Sequence, residues 1–501
     1  MMVAGMSLSD QALKDAFVEG RLAIDCLEIK LTRNGAGEPS VLSCPGSLSV
    51  TPSNGIKARL VLARGAHQPY DFFANINKHA DLRSGQLLSP SRYFKLEAKD
   101  VTGHLWINPS ANVDIEHLPE AFIVKITCGW VRCETLVEGN TSSTHMVFME
   151  ELRFPDNVIH SKKVLERGKT ALKFSAKASA GEAAGMLITF DPRADSPGVQ
   201  FGEFFAMNQS ASSLPDNFDD RLVEAIRFCT AAVVEPVMRE TVHKGKKILE
   251  FAQHRPPNEG MLQPPLQPRG NDLDFYKLLG CYFQYACANA SGRDYAPLSA
   301  KVGSLFALKG VNLEIVALLV AVAVESVLGE QPFKEIGKPT ESTLSLFKQM
   351  IAHINTASGF GADFLKRITD VVGGMKSSRA KDKLHALVSA SVIDEEDCAA
   401  WSKTRNKTAH GSFEIDPAEL QELIDVVYRL SALVYKLVFL RIGYRGKFTD
   451  YSTHDWPLRD FTRDLGALSH TTATATAPSS GVASSPTPPT PMDQTNPGSC
   501  L

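Results

Sequence analysis

The chain has 501 residues, 44% of them hydrophobic, and a formal net charge of −3. That is ample apolar material for two or three cores, and the charge balance excludes a general electrostatic grip on nucleic acid, so any RNA contact has to be local. The nine cysteines are scattered without a Cys-x2-Cys pair, and Cys128 and Cys133 have no second pair near them, which argues against zinc and for free thiols in a reducing compartment. Met1 to Gln11 lacks the basic-then-apolar order of an export signal, so a cytoplasmic protein is expected.

From about residue 20 to 205 the texture is that of strands. Leu22–Leu31, Ala58–Ala63, Tyr93–Ala98, Phe122–Val131, Met146–Leu152 and Met186–Phe190 are β-rich or alternating runs between Gly, Pro, Asn and Ser clusters. They predict an antiparallel sandwich or barrel over residues 1–205. A mixed connecting region, 206–300, follows: a helix over 218–232, a hairpin over Met238–Ala252 turning at His243-Lys244-Gly245-Lys246, and a proline-rich linker near 256–268. Beyond it the pattern is helical over 301–446. Val311–Leu328 contains the apolar run Ile315 to Val324, far short of the ~20 residues that span a bilayer, and predicts a buried core helix. Its end carries Glu325, a lone carboxylate that calls for a partner.

Gly359-x-Gly361 and Gly373-Gly374 punctuate helices. Neither a phosphate-binding Gly-x4-Gly-Lys-Ser/Thr loop nor a Gly-x-Ser-x-Gly elbow is present, which disfavours an ATPase or a serine hydrolase. A helix then opens with Asp394 as N-cap and Asp397 at N3; its first turn is acidic, its last turn basic (Lys403, Arg405, Lys407), and Gly411 follows as a stop. Asp416, Pro417 and Glu419 announce another helix, whose apolar positions Leu420, Leu423, Val427, Leu430, Val434, Leu437 and Val438 repeat at three and four. A C-terminal extension, 447–469, follows; Tyr444 to Arg463 mixes basic residues with Tyr444, Phe448, Tyr451, Trp456 and Phe461, which could stack bases or pack back on the domain. The tail, 470–501, is mostly Thr, Ala, Pro and Ser and is expected to be disordered.

Between the two late helices stands Arg405-Asn406-Lys407-Thr408-Ala409-His410. In a regular helix Asn406 and His410 share a face while Arg405 lies about 140° around from His410, so bringing all three together needs the last turn to bend. A histidine near the negative helix end keeps its proton more easily, which suits a group titrating close to neutral pH.

Over about 305 to 445, Arg405-Asn406 with His410 at a helix end, Trp401 one turn earlier, the long amphipathic helix after, and the apolar helix closing on Glu325 resemble the HEPN superfamily. Within it, the layout of a larger strand-rich region ahead of a helical domain resembles the ApeA-like proteins of anti-phage abortive infection. The resemblance implies an all-α HEPN bundle and a metal-independent endoribonuclease in which the substrate 2′-hydroxyl attacks the adjacent phosphate. His410 would be general acid/base, Arg405 would hold the phosphate, Asn406 would orient the histidine or a phosphate oxygen, and Glu325 would orient Arg405. It further implies RNA (tRNA or mRNA) as substrate, a phage protein as trigger, a homodimer pairing two motifs, no cofactor or metal, and no membrane.

Plainer readings stand beside these. Arg405 and His410 can cap a helix end, Glu325 can belong to a structural ion pair, and Lys407 can be a solvated charge or meet an RNA phosphate. Arg379-x5-His385 is a decoy of similar spacing without the asparagine. The alternative function is a HEPN domain that binds RNA or a nucleotide without cutting it.

Overall fold

The computed structural model describes residues 10–34, 41–63, 92–139, 141–150, 152–166, 169–196, 199–208, 214–255, 262–290, 292–308, 310–356, 359–375, 377–409 and 420–463. The expected N-cap at Asp416 to Glu419 and the tail beyond 463 lie outside them. The chain is α+β, with a strand-rich N-terminal region followed by a helical C-terminal region.

After helix α1 (Asp10–Val18) come β1 (Leu22–Arg33), β2 (Val41–Thr51), β3 (Gly55–Ala63), β4 (Phe94–Asp100), β5 (Leu105–His117), β6 (Ala121–Cys128), β7 (Trp130–Leu136) and β8 (Ser143–Phe148). The pairings run β4-β1-β2-β3-β6-β5, and β5 returns to β4, so these six strands close into an antiparallel barrel. Alternation along β1 sends Leu22, Ile24, Ile29 and Leu31 inward, where they meet Leu48, Val50, Leu60 and Phe94, and α1 adds Phe17 to the same core. The barrel among the sequence's two alternatives is therefore the observed one.

Two of its strands contain a proline, and both tolerate it at a bulge. Pro45 of β2 lies opposite Leu27 and Glu28, where the β1–β2 register shifts between Cys26 and Ile29. Next to it, a Cβ on Gly46 would come within 2.8 Å of Leu60. Pro109 of β5 lies where the β4–β5 register shifts between Phe94 and Leu96.

The sheet does not end at the barrel. Strand β5 also pairs with β7 through Trp106 and Ile107, and from β7 the ladder continues through the hairpin β13 (Met238–His243) and β14 (Lys246–Ala252) to β8. It then runs outward through β12 (Val199–Asn208), β11 (Met186–Ser196), β10 (Lys169–Ala183) and β9 (Val158–Glu166). The β13–β14 turn has Lys244 at φ 50° and Gly245 at φ 73°, the two left-handed residues that a two-residue hairpin turn demands.

Helices α2 (Phe218–Thr230) and α3 (Asp272–Asn289) cover this outer sheet. Phe228 of α2 stacks on Tyr282 of α3 at 4.5 Å and meets Tyr435 edge-on at 5.9 Å. Tyr435 belongs to α10 (Leu420–Ile442), which packs on α5 (Leu313–Leu328); between α3 and α10 also lie α4 (Pro297–Val302), α6 (Glu341–Thr356), α7 (Ala362–Gly374), α8 (Ala380–Ser389) and α9 (Glu395–Ala409). One apolar core runs from Met146 and Phe204 on the sheet through Phe228 and Tyr282 to Val324, Trp401 and Leu437.

The proline-rich stretch takes part in that core where it is described. Leu262 and Leu266 are buried, the Tyr435 hydroxyl donates to the Gln263 carbonyl at 2.6 Å, and the Thr449 amide donates to the Pro265 carbonyl at 3.0 Å. Helix α5 is the core helix expected, buried on one face: Val316, Val320, Ala323 and Val327 face the core, whereas Ile315 and Val322, one heptad apart, are 45% and 40% exposed. Its apolar run is longer than the face its neighbours cover. The segment after α10 forms the hairpin β15 (Gly446–Thr449) and β16 (Leu458–Phe461), and Tyr444, Phe448 and Phe461 bury against Phe439. Those aromatic residues pack; only Trp456 among the five named from the sequence is exposed.

Candidate active site

Three helix ends position the residues of interest. Helix α9 enters with the cap foreseen, the Asp394 amide donating to the Asp397 carboxylate at 3.3 Å. Its acidic start is held by α10: Lys436 Nζ lies 2.7 Å from Asp397 and 3.0 Å from Asp394, and Arg429 lies 2.6 Å from Glu396. At the other end Lys403 pairs with Glu422. Since the start of α9 meets the later part of α10 and its end meets the beginning of α10, the two run antiparallel. Asp397 is only 2% exposed. Burial raises its pKa, with the Lys436 ammonium opposing, so the pair is an internal one.

Against α5, α9 makes two matched contacts. The Trp401 indole Nε1 donates to the Ala321 carbonyl at 3.1 Å, and one turn on, Arg405 Nε donates to Glu325 Oε1 at 2.5 Å. Both contacts span 80 residues of sequence, so α5 and α9 run in the same sense here. The buried indole fixes the helix spacing, and the ion pair sits at the solvent edge, with side chains 41% and 33% exposed.

The end of α5 is itself clamped. Lys301 Nζ donates to the Ser326 carbonyl at 2.7 Å and Lys383 Nζ to the Leu328 carbonyl at 2.8 Å. Two ammonium groups thus occupy the negative end of the helix that carries Glu325. Burial lowers the Lys383 pKa, with Lys334 and Lys338 adding to the effect. Neither lysine was singled out from sequence; their only signal was a positive charge on the neighbouring helices, one of many.

The structure therefore brings Glu325 and Arg405 together and leaves Asn406, next to Arg405, exposed to solvent. Lys407 lies on the last turn of α9, and His410 lies outside the described residues. The decoy is otherwise engaged: the Arg379 amide donates to Asp382 at 2.9 Å at the start of α8, and His385 is an exposed residue on that helix. Chemically, a guanidinium whose rotation is fixed through Nε by a carboxylate is a preorganised group for an anion at the edge of the bundle. Among the described residues no helix is long and apolar enough to cross a membrane, and no group of three His, Cys, Asp or Glu could hold a metal ion. Compared with known proteins, the chain matches no family model, no curated protein and no solved structure.

Proposed function

We propose that the chain is a HEPN-type, metal-independent endoribonuclease of the ApeA-like abortive-infection kind, acting as a homodimer in the cytoplasm, with the barrel region sensing a phage component or restraining the helical region. The observation that carries this reading is the Arg405–Glu325 pair, held at a solvent-facing helix edge immediately before the Asn406-to-His410 stretch. In the proposed reaction the ribose 2′-hydroxyl gives its proton to His410 as its oxygen bonds to phosphorus. The P–O5′ bond breaks, the leaving 5′-oxygen takes a proton, and a 2′,3′-cyclic phosphate remains. Arg405 neutralises the charge that grows on the phosphoryl oxygens, and Asn406 orients the histidine or one of those oxygens. One histidine does not readily serve both oxygens, so the second proton comes from the motif of a second copy. The alternative, an RNA- or nucleotide-binding domain without cleavage, is favoured by the same ion pair if its role is only to join α5 to α9.

The test is incubation of purified wild type, Arg405→Ala and His410→Ala with total cellular RNA in excess EDTA, with mapping of new ends. Cleavage by the wild type alone, leaving cyclic-phosphate ends, supports the proposal. Equal cleavage by wild type and His410→Ala, or ends of another chemistry, overturns it. If no protein cuts, even with infected-cell lysate added, while the wild type still retains RNA, the binding reading replaces it.

A further inference from the structure

A groove of about 960 Å³ runs between the beginning of α10, the start of α9 and the turn joining β15 to β16. That is near the top of the range for ligand pockets. Three aromatic rings line it in series: Tyr428 stacks on Tyr451 at 6.3 Å, and Tyr451 meets Trp456 at 5.5 Å. The other notable lining groups are carboxylates, Glu396, Glu422, Asp425 and Asp455, against a single Lys or Arg side chain among the described residues, Arg429. Arg429 is committed to Glu396 at 2.6 Å, and Glu422 pairs with Lys403. Asp425 instead bonds the uncharged Gln421 amide at 2.9 Å, which leaves a negative charge in the groove, and Asp455 stands beside His454 at 3.1 Å.

The turn that presents Trp456 is held in an unfavourable shape. Asp455 and Trp456 are consecutive non-glycine residues at φ 64° and 49°, the left-handed region that side chains resist. Asp450 enforces it, accepting from the Ser452 amide and hydroxyl, the Thr453 hydroxyl and Arg459 Nε. Four donors thus meet on one carboxylate at the base of the turn, and the Trp456 indole is 49% exposed.

We propose that this groove binds a basic peptide segment, an arginine or lysine side chain lying against Trp456 and Tyr428 with its cation facing Asp425 and Asp455. The exposed Trp456 indole beside Asp425, a carboxylate bonded by the uncharged Gln421 amide, favours a cation twice over, through ring quadrupole and charge. The same carboxylates repel phosphate, so Trp456, the one exposed ring of the basic and aromatic stretch, is not placed to stack an RNA base. The site shares α9 with Arg405 but stands independently of RNA cleavage.

The experiment is calorimetric titration of the full-length protein with an alternating Arg-Gly hexapeptide, its Glu-Gly counterpart and an RNA hexamer, repeated with Trp456→Ala and Asp425→Asn. Both changed residues are exposed, and circular dichroism confirms that the variants are folded. The expected result is binding of the arginine peptide alone, weakened about tenfold by Trp456→Ala and severalfold by Asp425→Asn, and weakened further by salt. Absence of arginine-peptide binding at millimolar concentration, equal binding of the acidic peptide, unchanged affinity in both variants, or RNA binding lost in Trp456→Ala would each overturn the proposal.

Discussion

Arg405 and Glu325 meet at 2.5 Å one helical turn beyond the bond from Trp401 to the Ala321 carbonyl, so the ion pair rests on a buried rung. Glu325→Gln keeps the shape of the carboxylate and removes its charge. In the RNA-cleavage assay it should lower kcat about tenfold, while Arg405→Ala lowers it 10²- to 10³-fold, roughly the loss of one transition-state anion donor. Wild-type cleavage by Glu325→Gln would reduce the pair to a structural clasp.

The rung below is tested by Trp401→Phe, which retains most of the buried ring and deletes the indole donor. A loss of about 1 kcal/mol in urea unfolding is expected, because the Ala321 carbonyl keeps its helical partner and loses only the added bond. A loss above about 3 kcal/mol would place the contribution in packing.

Lys436→Met leaves buried Asp397 with Arg429 at 3.9 Å as its remaining cation among the described residues, and should cost about 3 kcal/mol. Adding Asp397→Asn to Lys436→Met should restore part of that loss, since the buried charge that has lost its nearer partner is then gone. Additive losses in the double variant would mean that the two side chains are not energetically coupled.

Glu150, which follows β8, supplies a pH dependence. Burial pushes its pKa up to about 7 from 4.5, against the amides of Glu150 and Met149. His254 Nδ1 lies 3.4 Å away, but burial lowers the His254 pKa, so it offers no countercharge where Glu150 ionises. The folded protein holds this proton more tightly than the unfolded chain does. The associated stability is therefore full below pH 4.5 and is lost as pH rises through 7. Glu150→Gln should match the wild type near pH 4.5 and exceed it by up to about 3 kcal/mol at pH 8 in urea unfolding. The same gain at both pH values would sink this account.

The sequence announced what depends on neighbours in the chain. The β13–β14 hairpin was legible because Lys244-Gly245 sits between two β-rich runs, and the start of α9 because Asp394 and Asp397 carry a cap spacing. Strands β2 and β5 are hard to read because Pro45 and Pro109 look like breaks, and only a bulge makes each proline harmless, in the partner strand β1 for Pro45 and in β5 itself for Pro109. For the site, Glu325 could be suspected of needing a partner, but its pairing with Arg405 across 80 residues came from a family resemblance and not from any local pattern. The groove around Trp456 was illegible because Tyr428, Asp425 and Trp456 come together only when the β15–β16 turn folds back on α10.

Because Phe228, Tyr282 and Tyr435 close a single core over the outer sheet, the helical half has no clean seam near residue 300. A gene exchange cutting there would strip Tyr435 of Phe228 and leave it Phe439 on its own helix as its aromatic neighbour among the described residues. Any transplantable cassette has to begin ahead of Phe218 and bring its own sheet face.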